Sequence, residues 1–284
     1  MRVLITGITS IHGWPIFKKL KTMLPQESLF GIRPPKMSLP DDENVISLCI
    51  TDKASLLKIK KTFKPTHVVH CAGVCDLDAC EENPDLAYAL NVEGAKAITE
   101  IFGEDSYILY LSSDLVFSGE RARPSGYEET HSPDPISVAG KTFFLAEQEI
   151  KKNKRYCIVR LGLPLGDSVT GDKGAIDWVE NRFKRNLPVT LFYDEYRSCI
   201  SCEEIGENVI QFLLEESTGL YHYGGGETRS LYDIGKLVLK KGDYKETLLK
   251  GILRCEEKNG PPRIGNVALN STRMNQFLQK SGVF

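Results

Sequence analysis

The feature that most constrains this chain is an alternation of short, β-branched apolar runs with stretches of helical spacing. "RVLIT", "SLFGI", "HVVHCA", "YILYLSS" and "YCIVRLG" are apolar at successive positions, so each reads as a strand covered on both faces. Between them, residues 12–23, 53–62, 84–102 and 136–152 read as helices. In "PDLAYALNVEGAKAITEIF", Pro84 suits a first helical turn, and Ala87, Leu90, Ala97 and Ile101 lie along one stripe. Strand–helix–strand order over roughly the first 160 residues predicts an α/β fold built on a Rossmann-type doubly wound parallel sheet. The rest is less regular. "VTLFYD" and "GLYHYGGGE" read as strand-containing, and residues 203–216 and 230–240 as helices. Ligands of such folds sit beyond the carboxyl ends of the strands.

Composition narrows the classes. A formal net charge of −2 over 284 residues leaves no electrostatic footprint for nucleic acid. No apolar run reaches the 18 residues a membrane span requires. The chain opens directly on a buried-strand pattern, so no leader is expected before the fold. Eight cysteines lie without framework spacing, which reads as free thiols in a reducing, cytoplasmic compartment. Cys199 and Cys202 form a lone C-x-x-C without the second ligand pair of a tetrahedral zinc site, so no metal is expected.

"ITGITSIHG" follows the first strand and opens the first helix, where a dinucleotide fingerprint belongs. Gly7 and Gly13 stand six apart, and Ser10 occupies the position where a glycine would let the backbone approach a pyrophosphate. Two readings follow: a cofactor loop, or a strand-to-helix turn without a ligand. The second strand ends "FGIRPPK". An arginine there accommodates the 2′-phosphate of NADP, whereas NAD sites carry an acidic residue, so Arg33 tilts the choice from NAD to NADP. Two solvated charges after a strand are the alternative. Residues 1–162 are thus expected to form the dinucleotide-binding domain. Residues 163–284 are expected to form a smaller α/β substrate part, with some segments returning to the first sheet.

The blocks "ITDKASL", "AGVCDLDACEENPDLAYALNVEGA", "LSSDLVFSG" and "YEETHSPDPISVAGK" carry a family resemblance. So do "GLYHYGGGE" and "RIGNVALNSTRM" further on. In these blocks the chain resembles the extended short-chain dehydrogenase/reductases, most closely the dTDP-4-dehydrorhamnose reductase group. The resemblance implies hydride transfer between a nicotinamide cofactor and a sugar carbon, with a tyrosine as proton donor and a lysine one helical turn later. It also implies a serine or threonine fixing the carbonyl, here Ser112 or Ser113. It extends the cofactor surface to Ile11, His12, Cys71, Ala72, Gly73 and Asn91.

At the tyrosine position this chain has Ala139, and at the lysine position Phe143. Cys49 stands where the family commonly has an aspartate near the adenine. Ser137 and Lys141 share the four-residue spacing, but Ser137 lies near a helix start and reads as a cap. Tyr127 is the replacement acid the resemblance suggests. The substrate side would use Asp76, Asp114, and two arginines, Arg197 and Arg263, suited to bind a diphosphate. The implied partners are a nucleotide-sugar ligand and a homodimer or partner enzyme. Two functions remain open: an oxidoreductase with altered acid–base groups, or a non-catalytic regulatory or scaffold protein of the same fold.

Overall fold

The structure is a computed structural model and describes residues 1–37, 42–122, 124–172 and 174–282. The strands are Val3–Thr6 (β1), Leu29–Arg33 (β2), Val45–Ser47 (β3), His67–His70 (β4), Tyr107–Ser113 (β5) and Tyr156–Leu161 (β6). Leu163–Leu165 (β7), Val189–Phe192 (β8), Tyr196–Ser201 (β9), Gly219–Tyr223 (β10), Glu227–Ser230 (β11) and Leu249–Ile252 (β12) follow. Seven of them form one sheet in the order β10-β6-β5-β4-β1-β2-β3 among the described residues. Every pairing in it is parallel. This is the doubly wound sheet expected, and its outer strand β10 comes from the second half of the chain.

The two-residue period of the strands divides the core. Val3, Ile5, Val69, Leu109 and Val159 face one side, packed with Ile16, Phe17 and Leu20 of Gly13–Met23 (α1). Leu4, Val68, Ile108 and Ile158 face the other. That side is covered by Lys53–Phe63 (α2), Leu77–Glu82 (α3), Pro84–Tyr88 (α4), Gly94–Phe102 (α5) and Val138–Ile150 (α6). Each fully buried Val, Leu or Ile contributes about 1.5–3 kcal/mol, so this double layer holds most of the fold together.

The stretch 84–102 is not one continuous helix. Asn83 caps α4, its Oδ1 accepting from the Leu86 amide at 3.1 Å, and Ala89–Glu93 widen into a π turn before α5. The wider turn accompanies a buried Asn91 whose side chain is bound to the loop after β4. Beyond β6 lie two small sheets, β11-β9-β7 and β12-β8. Ala175–Lys184 (α7) and Leu231–Lys241 (α10) pack on them around Val179, Phe183, Leu191 and Val238. Cys202–Asn208 (α8), Ile210–Glu215 (α9) and Thr272–Lys280 (α11) close the far face of the large sheet.

A buried polar chain ties the middle of this sheet together. Glu147 of α6 receives two bonds from Arg160 of β6, at 2.8 and 2.7 Å, and a third from the Ser112 hydroxyl at 2.7 Å. Arg160 also donates to His222 Nε2 at 3.3 Å, so the proton resides on Nδ1, which donates to the Tyr127 carbonyl at 2.8 Å. Burial, helped by the Arg160 charge, lowers the His222 pKa to about 3 and keeps the ring neutral. Removing one member of a buried ion pair leaves the other charge uncompensated. Glu147→Ala is therefore expected to cost about 3–5 kcal/mol in urea unfolding. A loss below about 1 kcal/mol, the value of an exposed pair, would contradict the assignment.

Candidate functional site

The carboxyl ends of β1, β4 and β5 converge where the chain passes from Thr6 to Gly13. Gly7 has a positive φ of 65°, and a β-carbon there would come within 2.6 Å of the Ala72 backbone. Only glycine lets the two loops touch. The Ser10 hydroxyl accepts from the Gly13 amide at 2.9 Å, capping the start of α1. Among the described residues no acceptor meets the Ile11 or His12 amide. Two such donors just ahead of a helix are groups of the kind that receive an anion. Burial lowers the His12 pKa to about 4, against a bond to the Cys71 backbone. The ring is neutral at pH 7 and adds no charge to the loop.

The floor of the site comes from β4. The Thr6 hydroxyl lies 2.8 Å from His70 Nδ1 and accepts from the Ala72 amide at 3.3 Å. Burial alone lowers the His70 pKa to about 3. Cys71 is buried, its thiol pushed far up by desolvation. Asn91 Oδ1 accepts from the Val74 amide at 2.8 Å, and its Nδ2 donates to the Val74 carbonyl and to Thr142 Oγ1 at 2.9 and 2.8 Å. That amide holds the loop after Gly73 against α6. On α6, Ala139 is fully buried and Phe143 is 7% exposed. The Phe143 ring tip lies 3.8 Å from where a Gly73 β-carbon would stand. Ser137 caps α6 as expected, accepting from the Gly140 amide at 3.1 Å, and Lys141 is exposed.

The two serines of β5 part company. Ser112 turns under the sheet to Glu147. Ser113 stays at the strand end, its hydroxyl 3.2 Å from Asp114 Oδ1 and 3.2 Å from the Leu115 amide. Asp114 has no solvent exposure and is gripped at both oxygens by Arg197 of β9, with Nε at 2.6 Å. Burial pushes the Asp114 carboxyl up, and the Arg197 guanidinium opposes it. Tyr127 stacks on Phe117 at 4.0 Å between centroids, and its hydroxyl accepts from the Arg121 amide at 3.2 Å.

The remaining candidates divide between local and site roles. Asp76 caps α3 through the Ala79 amide at 2.9 Å. Arg33 donates to the Met37 carbonyl, and the Cys49 thiol lies 3.2 Å from the Thr51 hydroxyl. Arg263 lies over the Phe192 ring at 4.8 Å and 3.8 Å from Asp78, with a buried Nε that has no partner.

Sequence reasoning missed Glu195. It is 1% exposed, its Oε2 has no partner, and Arg197, Arg263, Arg254 and Asp114 all act on it. The available signal was its place two residues before Arg197, which puts both side chains on one face of an extended segment.

The family described as RmlD substrate binding domain matches residues 1–281. The chain belongs to that family. It is an RmlD-like extended short-chain dehydrogenase/reductase in fold and ancestry. A hypothetical dTDP-4-dehydrorhamnose reductase from Sulfolobus tokodaii is 25% identical, with a TM-score of 0.80 over 97% of this chain and 94% of that one. The dTDP-4-dehydrorhamnose reductase of Bacillus anthracis, solved in complex with NADP, is 22% identical. Its TM-score is 0.80 over 99% of this chain and 92% of its own. Methionine adenosyltransferase 2 subunit beta of Xenopus laevis is 24% identical over 290 residues, covering 99% of this chain and 83% of that protein. The relatives of this chain thus carry the names of reductases and of an enzyme subunit. No helix among the described residues is long and apolar enough to cross a membrane.

Glu195 gives a testable pH dependence. Burial raises its pKa from 4.5 to about 7, with Arg197 the largest opposing influence. The folded protein holds this proton up to about pH 7, while the unfolded chain releases it near 4.5. Stability therefore falls as pH rises through that window and is flat above it, by roughly 3 kcal/mol in total. Urea unfolding at pH 4.5 and pH 8 should show this extra loss in the wild type relative to Glu195→Gln. Parallel pH profiles for the two proteins would contradict it.

Proposed function

We propose that the protein is a cytoplasmic, NADP- or NAD-binding RmlD-like protein of nucleotide-sugar metabolism that keeps the ligand surfaces but lacks the standard reducing pair. The observation that carries this reading is the pairing of Ala139, fully buried on α6, with Phe143 beside Gly73. An alanine offers no proton, and a phenyl ring beside the floor of the site offers neither a ribose contact nor a charge to acidify a donor. Tyr127, the replacement acid considered, has its ring on Phe117 and its hydroxyl on the Arg121 amide. Ser113 would remain as a ligand contact at the end of β5.

The dinucleotide would lie along Gly7, Ser10, Ile11, His12 and Gly13, with its pyrophosphate on the Ile11 and His12 amides. Cys71, Ala72, Gly73 and the Asn91-held loop would form its floor, and Arg33 at the end of β2 favours NADP. The cofactor would supply hydride chemistry. Asp114 and Arg197 would brace the sugar-nucleotide side, and Arg263, less committed to protein partners, would meet the diphosphate.

Lack of a positioned general acid slows such a reaction about 10²–10⁴-fold. With NADPH and dTDP-4-dehydrorhamnose, the wild type is expected to turn over at least that much more slowly than the ordinary enzyme range of about 1–10³ s⁻¹. The double variant Ala139→Tyr/Phe143→Lys is expected to gain NADPH oxidation. Wild-type turnover within the ordinary range would overturn the reading.

A second reading, a non-catalytic subunit of a partner enzyme, is favoured by the relative named as a methionine adenosyltransferase subunit over 83% of its length. Gel filtration with a methionine adenosyltransferase catalytic subunit separates the two. A stable complex favours the subunit, and independent elution favours the free ligand-binding protein.

A further inference from the structure

Among the described residues, the buried side-chain atoms without a hydrogen-bond partner are His70 Nε2, Thr99 Oγ1, Glu195 Oε2 and Arg263 Nε. The last two belong to neighbouring groups in the seam between the large sheet and the second part. A buried carboxylate oxygen and a buried guanidinium N–H left unpaired each forfeit solvation that the fold does not return. The nearby cations are otherwise committed. Arg197 is bound at two nitrogens by Asp114. Arg254 donates from Nε to Asp194 at 3.2 Å, and from one Nη to Glu120 at 2.7 Å and the Arg263 carbonyl at 3.2 Å. Among the described residues, Arg263 meets Asp78, at 3.8 Å, and the Phe192 face.

The unpaired atoms are therefore one acceptor, Glu195, beside one donor, Arg263. Above pH 7, where the Glu195 carboxyl has lost its proton, an anionic oxygen would satisfy Arg263 and be repelled by Glu195. A hydroxyl satisfies the carboxylate, because it donates. A ligand that suits both carries an anion joined to a hydroxyl-bearing ring.

We propose that Glu195 is a specificity-determining residue that accepts a hydrogen bond from a sugar hydroxyl of a nucleotide-sugar ligand whose diphosphate is held by Arg263. This inference rests on the nucleotide-sugar reading above and adds the residue that distinguishes the sugar from its bare nucleotide. Glu195 lies on the same face of its segment as Arg197, whose partner Asp114 ends β5, where ligands of parallel sheets bind. It is a binding residue and carries no step of bond-making.

Calorimetric titration of the full chain at pH 8, where Glu195 is ionised, with UDP-glucose and dTDP-glucose, each against UDP or dTDP alone, tests it. In the wild type the sugar-linked ligand should bind more tightly than its diphosphate. Glu195→Leu should remove about tenfold of that increment, in line with loss of a hydrogen bond to a charged group. UDP or dTDP binding should change by less than about twofold, a split that general misfolding would not produce. Glu195→Gln, which keeps an acceptor oxygen, should retain part of the increment. An unchanged increment in Glu195→Leu would overturn the proposal alone, leaving Glu195 a structural group. Loss of diphosphate binding in parallel with sugar-nucleotide binding would also overturn it. Wild-type protein that binds none of the four ligands would overturn it together with the nucleotide-sugar reading.

Discussion

A carboxylate with no solvent exposure needs a partner, and for Asp114 that partner is the two-pronged guanidinium of Arg197. The bond joins the end of β5, in the large sheet, to β9, in the small one. It thereby sets the seam in which a ligand of this fold would lie. Its cost is that Arg197 spends two donors inside the protein, which weakens its claim as a free diphosphate contact. Glu195, on the same face, feels the Arg197 charge but receives no hydrogen bond from it. The unusual Glu195 carboxyl and the importance of Arg263 both follow from this one pairing.

On the other side of the seam, the proposed binding surface is mainly backbone, and α6 carries Ala139 and Phe143 in place of an acid–base pair. Gly7 permits the close approach of two loops, and among the described residues the Ile11 and His12 amides face no acceptor. Ser10 fills the missing glycine position but spends its hydroxyl on the Gly13 amide. At α6 the geometry that would align a tyrosine and a lysine still stands, populated by Ala139 and Phe143. A receptor made of backbone survives side-chain drift better than an acid–base pair, because any L-residue at Ile11 or His12 supplies the same N–H. Fold and ligand surface can thus persist where the reaction does not.

Much of the large sheet was legible in the sequence, because β1, β2, β4, β5 and β6 are β-branched runs buried on both faces. The short β3, with half-exposed Val45 and Ile46, lacked that signal. So did β9, where "YRSCIS" buries an arginine and a serine that only tertiary partners make tolerable. The stretch 84–102 looked like one helix because its stripe of apolar residues ignores the π turn around Asn91. In the site, the glycine spacing and the end of β5 could be read directly. Which of Ser112 and Ser113 faces the site could not, since that depends on Glu147, 35 residues away. Glu195 escaped notice because a glutamate in a polar stretch looks solvated, and its burial is set by residues distant in sequence.

Direct titration of nucleotide-free protein with NADPH and NADH tests whether a dinucleotide receptor is retained here without its reducing pair. Calorimetry or nicotinamide fluorescence should show saturable binding, tighter for NADPH if Arg33 reads the 2′-phosphate. Absence of binding for both nucleotides would contradict the account and leave the loop from Gly7 to Gly13 a strand-to-helix turn only.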